Sequence, residues 1–394
     1  MFIILFILSL GIPVLGACGG LAYFGTYKRP VLSALICGAA ASAMFYGYIP
    51  DVGNDIYRHM ENLSLYENIP IYDAFNRLKD YHISGIYTWD IYLWIMAHIG
   101  NPYLIQSTAA FLGYFLISFV IFDQAKSKNI SFINCLLIYM VGLSAFPLLE
   151  IAIGIRSANA FILTIVSFYL YYIKKRNYIL SAILLIIAFY LHSGAIIPVI
   201  LFFFIPIFAK YRKISILLLI LLCIVYYQYQ NIFYAAMLSS ENSSGAVYTA
   251  SSYSQESFNN SIHAVFSLVW RDMFALIVVT ALHHCIKDKV DTINHRAYSF
   301  TIGMFILSIA LTIILGNNGL RYIGMVVLLS CILLEYNGFS FFDKRRGNLT
   351  LRGFVLIIGC LGCFALYLYD MSWGTGSVSS FFLSSITGYL SRSF

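Results

Sequence analysis

Two arginines and a histidine carry the chemistry most open to reading in this chain. Arg156 follows Gly154-Ile155, and Arg321 follows the turn Gly316-Asn317-Asn318-Gly319-Leu320. Each begins an apolar run of helical length, so each is expected at or near a helix N-terminus. There the unsatisfied backbone N–H groups and the helix dipole favour anions. A guanidinium adds a planar fork that matches phosphate oxygens bidentately. Two such positions on one face suit a pyrophosphate. His192 ends another apolar run and is followed by Ser193-Gly194. An imidazole in that place can act as a base or donate a hydrogen bond to a sugar or phosphate. The bland alternatives are arginines that snorkel to lipid headgroups or pair with Glu150, Asp272 or an acidic loop, and a histidine that only ends a helix.

Four carboxylates stand near these groups in the order of the chain: Asp51, Asp55, Asp90 and Glu150. General-base work needs a carboxylate or imidazole within hydrogen-bond reach of the proton, so each is a candidate, against loop solvation or ion pairing. Asp51 and Asp55 are four apart and share a helical side, but Mg²⁺ and Ca²⁺ want more oxygen ligands than two aspartates supply. Arg58 and Arg271 are reserve anion ligands. Tyr57, Tyr66, Tyr72, Tyr87, Trp89, Tyr92 and Trp94 can stack on sugar rings or form an interfacial belt. The chain has no HExxH, no P-loop and no GxSxG. Cys360-x-x-Cys363 lies inside an apolar run with no nearby histidine and reads as packing. No metal and no cofactor is expected.

The elements that must position these residues are apolar helices. Of 394 residues, 60% are hydrophobic and 10% charged, where a soluble domain carries about 25% charge. The apolar residues come in runs of roughly 15–24, which is the pattern of an all-α polytopic membrane protein. A β-barrel shows about ten-residue alternating segments instead. The expected spans are 1–24, 31–49, 103–122, 131–149, 156–173, 178–191, 195–209, 214–234, 263–284, 297–315, 321–336 and 350–370. That makes about 12, in a single integral-membrane domain with residues 1–24 read as a retained span. Residues 50–102 form an acidic loop after the second span. Within it, 85–99 reads as an interfacial or re-entrant helix, since fifteen residues with Asp90 inside are short for a crossing; if it spans, the count is 13. A second loop covers 235–262.

The net charge of +7 does not point to nucleic acid, because the cations sit in short turns between spans. Seventeen of the 24 lysines and arginines fall in six turns: Lys28/Arg29, Lys126/Lys128, Lys174/Lys175/Arg176, Lys210/Arg212/Lys213, Lys287/Lys289/Arg296 and Lys344/Arg345/Arg346 with Arg352. The positive-inside rule puts those turns in the cytoplasm. Arg156 and His192 are then outside, and twelve spans put both chain ends outside as well.

Several of these segments resemble the EpsG/Wzy group of bacterial polysaccharide polymerases. The matching pieces are Asp51-x-x-x-Asp55-x-Tyr57-Arg58, Trp89-Asp90, Gly154-Ile155-Arg156-x-x-x-Ala160, Ala188-Phe189-x-x-His192-Ser193-Gly194-Ala195 and Asn318-x-x-Arg321-Tyr322. Ser157 stands where that group usually has Gln, and Ser193 follows the histidine directly. The resemblance implies an enzyme of the inner bacterial membrane, with a GT-C-like architecture within its range. Its donor is a glycan on undecaprenyl pyrophosphate, and its acceptor is a new lipid-linked repeat whose hydroxyl attacks the donor's anomeric carbon. It implies Arg156, Arg321, Arg271 and Arg58 at the pyrophosphate, His192, Asp55 or Asp51 as base, and Asp90, Trp89, Tyr57 and Glu150 near the sugars. Its partners are the lipid-linked oligosaccharide and membrane lipids, with room for a chain-length regulator and a flippase. An O-antigen ligase-like transfer to another lipid acceptor is the neighbouring alternative. A lipid-linked-sugar transporter ranks below it, since transporters keep ionisable groups at the midplane and often show inverted repeats.

Overall fold

The computed structural model describes residues 1–46, 48, 55–70, 87–211, 317–336, 340–341 and 351–375, with isolated positions between 213 and 308. Every regular element among them is helical. In order they are α1 (Phe2–Gly11), α2 (Pro13–Tyr27), α3 (Pro30–Phe45), α4 (Asp55–Glu61) with a 3₁₀ turn Asn62–Leu65, α5 (Tyr87–Ile99), α6 (Tyr103–Ser127), α7 (Phe132–Ala145), α8 (Leu148–Ile153), α9 (Ile155–Phe168) running into a π turn Tyr169–Ile173, α10 (Tyr178–Leu191), α11 (Ile196–Lys210), α12 (Asn317–Tyr336) and α13 (Leu351–Thr375).

α6 is the centre of the bundle. Its 25 residues reach about 37 Å at 1.5 Å per residue, and among the described residues it is the one helix long and apolar enough to cross a membrane. Shorter apolar helices pack against it, α3 and α7 among them. α3 packs antiparallel along α6. Ser42 and Ser107 share a hydrogen bond of 2.7 Å, and Gln106 Nε2 donates to the carbonyl of Phe45 at 2.8 Å and to that of Tyr48, capping the end of α3. Small residues make this approach close, with Ser33, Ala34, Cys37, Gly38 and Ala41 all buried on α3. Tyr114 on α6 and Tyr367 on α13 share a bond of 2.8 Å, as do Ser118 and Tyr139 on α7. Small-residue contacts and buried hydroxyl pairs are the means by which helices associate where apolar burial alone gives little preference.

The bundle has two distinct ends. At one, Lys28 Nζ donates to the carbonyl of Ile130 at 3.5 Å, and Asp123 takes Lys174 at 2.9 Å and Arg176 at 3.5 Å. Three of the basic turns therefore gather at that end. Asn134 joins Ser340 and the N–H of Phe341 there, so α12 finishes beside them. At the other end lie the close of α3, the starts of α6, α9 and α12, and the close of α10.

Two expected spans are built otherwise. Residues 1–24 are not one helix. The chain breaks at Ile12-Pro13, and α1 folds back along α2. The Phe2 and Tyr23 rings are 6.2 Å apart, and a Cβ on Gly16 would lie 2.1 Å from Ser9 Cα, so the approach requires glycine. Helices of 10 and 15 residues reach about 15 and 22 Å, short of the roughly 30 Å a crossing needs. Residue 2 therefore lies at the same end of the bundle as the Lys28 turn, rather than at the end opposite it as a single span over 1–24 would put it. The second correction is at 131–149. Phe146-Pro147 ends α7 early, because the residue before proline is driven out of the helical region and proline lacks the N–H to continue the ladder. The loop 235–262 and the spans 263–284 and 297–315 lie largely outside the described residues, and 214–234 is described at isolated positions.

Candidate functional site: a guanidinium on an indole at the start of α9

The local sequence explains why Arg156 stands at a helix start. Pro147 begins the six-residue α8, and Gly154, at φ −87° and ψ 42°, ends it. A new helix starts at Ile155, with its first backbone bond from Ala158 N to Gly154 O at 3.1 Å. Arg156 is the second residue of α9, in the turn where the dipole is felt most. Gly154 provides no side-chain cap. Ser157 Oγ donates to Gly154 O at 3.2 Å, and Asn159 Nδ2 to Ile155 O at 3.0 Å. Ser157 is 3% exposed. Ser157 thus tightens the first turn from inside.

The guanidinium of Arg156 lies over the ring of Trp89, with Cζ 5.8 Å from the centroid. Trp89 comes from α5, in the acidic loop. Tyr92 stacks on it at 5.1 Å and 27°, and His59 of α4 meets it edge-on at 4.7 Å. With 1% of its surface exposed, the indole has no open face for a sugar. Its expected place among the acceptor-stacking residues is replaced by a packing role against Arg156. Asp90, also 1% exposed, accepts a hydrogen bond from the Tyr66 hydroxyl at 3.1 Å. Burial and then the neighbouring Asp90 push the Tyr66 phenol above its ordinary range. A carboxylate enclosed in this way positions the loop rather than meeting a sugar. Trp94 Nε1 donates to Ile69 O at 2.7 Å, and the Tyr92 hydroxyl reaches Ile105 O and Thr108 of α6. Gly100 ends α5 at φ +74°, the left-handed C-terminal position that glycine favours. The helix expected at 85–99 is present as α5, docked on α6 and α10.

A second cluster shares α9. Phe161, a turn and a half beyond Arg156, stands 6.1 Å from the His192 ring and 4.9 Å from the Tyr322 ring. The Tyr322 hydroxyl donates to Gly194 O at 2.8 Å, tying the start of α12 to the turn after His192. His192 itself leaves α10 in an extended conformation and is half-buried. Arg321 precedes Tyr322 but is the fifth residue of α12, one turn inside it, so it is not at the helix start as the sequence led us to expect. Of the other candidates, Glu150 is half-buried in the first turn of α8, Tyr57 half-buried and Arg58 exposed on α4, and Asp55 opens α4. Asp51 and Arg271 lie outside the described residues.

The motif pieces 154–160, 188–195 and 318–322, far apart in sequence, thus meet at the end opposite the basic turns. Sequence reasoning missed the pairing partners: His59 on Trp89, Phe161 between His192 and Tyr322, and Tyr66 on Asp90. The signal available was weak, namely aromatic residues at helical spacing from a charged one. Among the described residues, no group of three or more His, Cys, Asp or Glu is placed to hold a metal ion. Comparison with protein-family models, with curated proteins and with solved structures finds no match.

Proposed function

We propose that this chain is a multi-pass membrane glycosyltransferase that polymerises lipid-linked oligosaccharide repeats at the outer face of the bacterial inner membrane. The observation that carries the reading is the placement of Arg156: second residue of a helix, oriented by an indole, at the end of the bundle away from the basic turns. A leaving group that is already a pyrophosphate needs little covalent help. It needs fixed positive charge where its own charge develops, and that is often the largest catalytic contribution. The N-terminal turn of α9 and its guanidinium supply it, with Arg321 and, as reserves, Arg271 and Arg58 as further cations. His192 is the first choice for base toward the acceptor hydroxyl, since it stands in the cluster that α9 shares; Asp55 and Asp51 are the alternatives, with Tyr57 and Glu150 toward the sugars. In this reading the bundle makes about eleven crossings rather than twelve, because the α1–α2 pair turns back, and the turns with Lys28, Lys126 and Lys174 face the cytoplasm. No metal or nucleotide is required by this chemistry, and a flippase and a chain-length regulator fit as partners.

The test is purified full-length protein with a synthetic undecaprenyl-pyrophosphate-linked repeat, the products read by gel and mass spectrometry. A ladder of repeats with release of undecaprenyl pyrophosphate is expected. Arg156→Ala should leave single repeats, and Arg156→Lys should restore little, since a point charge does not reproduce the fork. Transfer of one glycan to a different lipid acceptor with no ladder would turn the assignment to a ligase. Normal chain lengths in Arg156→Ala would remove Arg156 from the site.

A further inference from the structure

The contact between Arg156 and Trp89 joins two parts of the chain that no local rule brings together. Trp89 has a feature that makes its identity costly. Its indole Nε1 is buried and has no hydrogen-bond acceptor among the described residues. A buried N–H without a partner loses its water and gains nothing in return. Phenylalanine or leucine would fill apolar space between Tyr92 and His59 with no such orphan. What tryptophan adds over either is the most negative ring face of the aromatic residues, and that face is where the guanidinium lies. Tyr92 stacks on the ring and fixes it in place, and Tyr92 is in turn held by α6 through Ile105 and Thr108. The ring is therefore a rigid support, anchored to the central helix, beneath the one cation at the start of α9.

We propose that Trp89 is a positioning residue for Arg156: its ring face orients the guanidinium at the first turn of α9 so that the fork, together with the backbone N–H groups of that turn, receives a phosphate oxyanion. The ligand class is a pyrophosphate monoester or diester. This rests on the reading of Arg156 as the pyrophosphate site and adds to it the element that orients the arginine. The acidic loop thereby becomes part of the site: it carries the support of the cation into place, while Asp90 on Tyr66 and Trp94 on Ile69 keep the support docked. The guanidinium keeps its charge against a ring face, whose attraction arises from the quadrupole.

The test separates ring electronics from ring shape. Tryptophan at position 89 is replaced, by site-specific incorporation, with 5-fluoro-, difluoro- and trifluorotryptophan. These are nearly isosteric, so packing is kept while the ring face loses its negative potential in steps. Binding of inorganic pyrophosphate to the detergent-purified full-length protein is measured by calorimetry. The expected result is a graded loss, about threefold to tenfold weaker by the trifluoro form, and no gradient for the same series at Trp94. Trp89→Phe should fall within the series, and Trp89→Leu below it. A flat series at position 89, an equal gradient at Trp94, or no pyrophosphate binding by the native protein would each overturn the proposal. Failure of the polymerase reading is seen separately: a protein that binds pyrophosphate with the graded loss but makes no ladder from lipid-linked repeats keeps the positioning role and loses the activity.

Discussion

The two ends of the bundle hold their cations in different ways. At the basic end Asp123 takes Lys174 and Arg176 together, and the Tyr169 hydroxyl donates to the same Oδ2 at 2.7 Å. Lys174 and Asp123 have side-chain exposures of 12% and 14%, so this is a partly buried ion pair with its charges offset in place. At the other end Arg156 rests on an indole, and the nearby carboxylate Asp90 is occupied by a phenol. A cation tied to a carboxylate closes a structure. A guanidinium over a ring is oriented by the quadrupole of that face. In the function proposed above, the first contact is an anchor and the second belongs to the site.

The largest effect that tests this contrast is on transfer. Arg156→Ala should lower the rate of repeat addition by about 10²–10³-fold, the scale of losing a donor to developing negative charge. Its melting temperature in detergent should stay close to that of the native protein. Asp123→Ala should show the reverse. It leaves two cations and a buried phenol without their shared acceptor, and should lower stability by on the order of 2–3 kcal/mol, read as an earlier thermal transition, with transfer per folded molecule nearly intact. If Asp123→Ala stops transfer in fully folded protein, the two ends are coupled and the contrast fails. Gly324→Ala comes next. Its Cβ would meet Ala145 O at 2.3 Å, pushing α12 off α7. A loss of about 1–3 kcal/mol is expected, with transfer reduced because Tyr322 moves from Gly194. Tyr322→Phe isolates that last bond, and should cost about 1 kcal/mol. The smallest effect is in pH. Tyr66 is held above its ordinary value of 10.0, so the stability it gives the docked loop is full below pH 10 and declines as pH rises beyond it. Tyr66→Phe should remove that alkaline slope, measured by the protection of α5 against proteolysis.

How much of this was legible in the sequence depends on the range of the interaction. Tyr178–Leu191 was read to the residue, because an apolar run bounded by a basic turn and by His-Ser-Gly has one helical solution. The amphipathic 85–99 segment was read nearly as well. The fold-back of α1 was not, since residues 1–24 stay apolar across Pro13 and hydropathy carries no sign of direction; the glycines at 16 and 19 that admit close approach to Ser9 and Leu5 were the readable trace. The position of Arg321 was read one turn late, because Asn317 and Asn318 look like a turn and are helical. For the site, the types were legible and the partners were not. Trp89 and Arg156 are 67 positions apart, and nothing local fixes which ring a guanidinium will find. Trp89 and Asp90 were read as sugar contacts because loop aromatics are commonly exposed; burial by α4, α6 and α10 decided otherwise.

In the membrane reading proposed above, the α1–α2 pair has a consequence for the surrounding lipid. In a bilayer, a hairpin that enters and leaves by the same side displaces acyl chains from one leaflet only. Its outward residues Ile3, Ile4 and Ile7 are strongly exposed, so those chains would lie against it directly. A protein with that profile is wider in one leaflet than in the other, and it is accommodated most readily where the membrane already bends toward the narrower side.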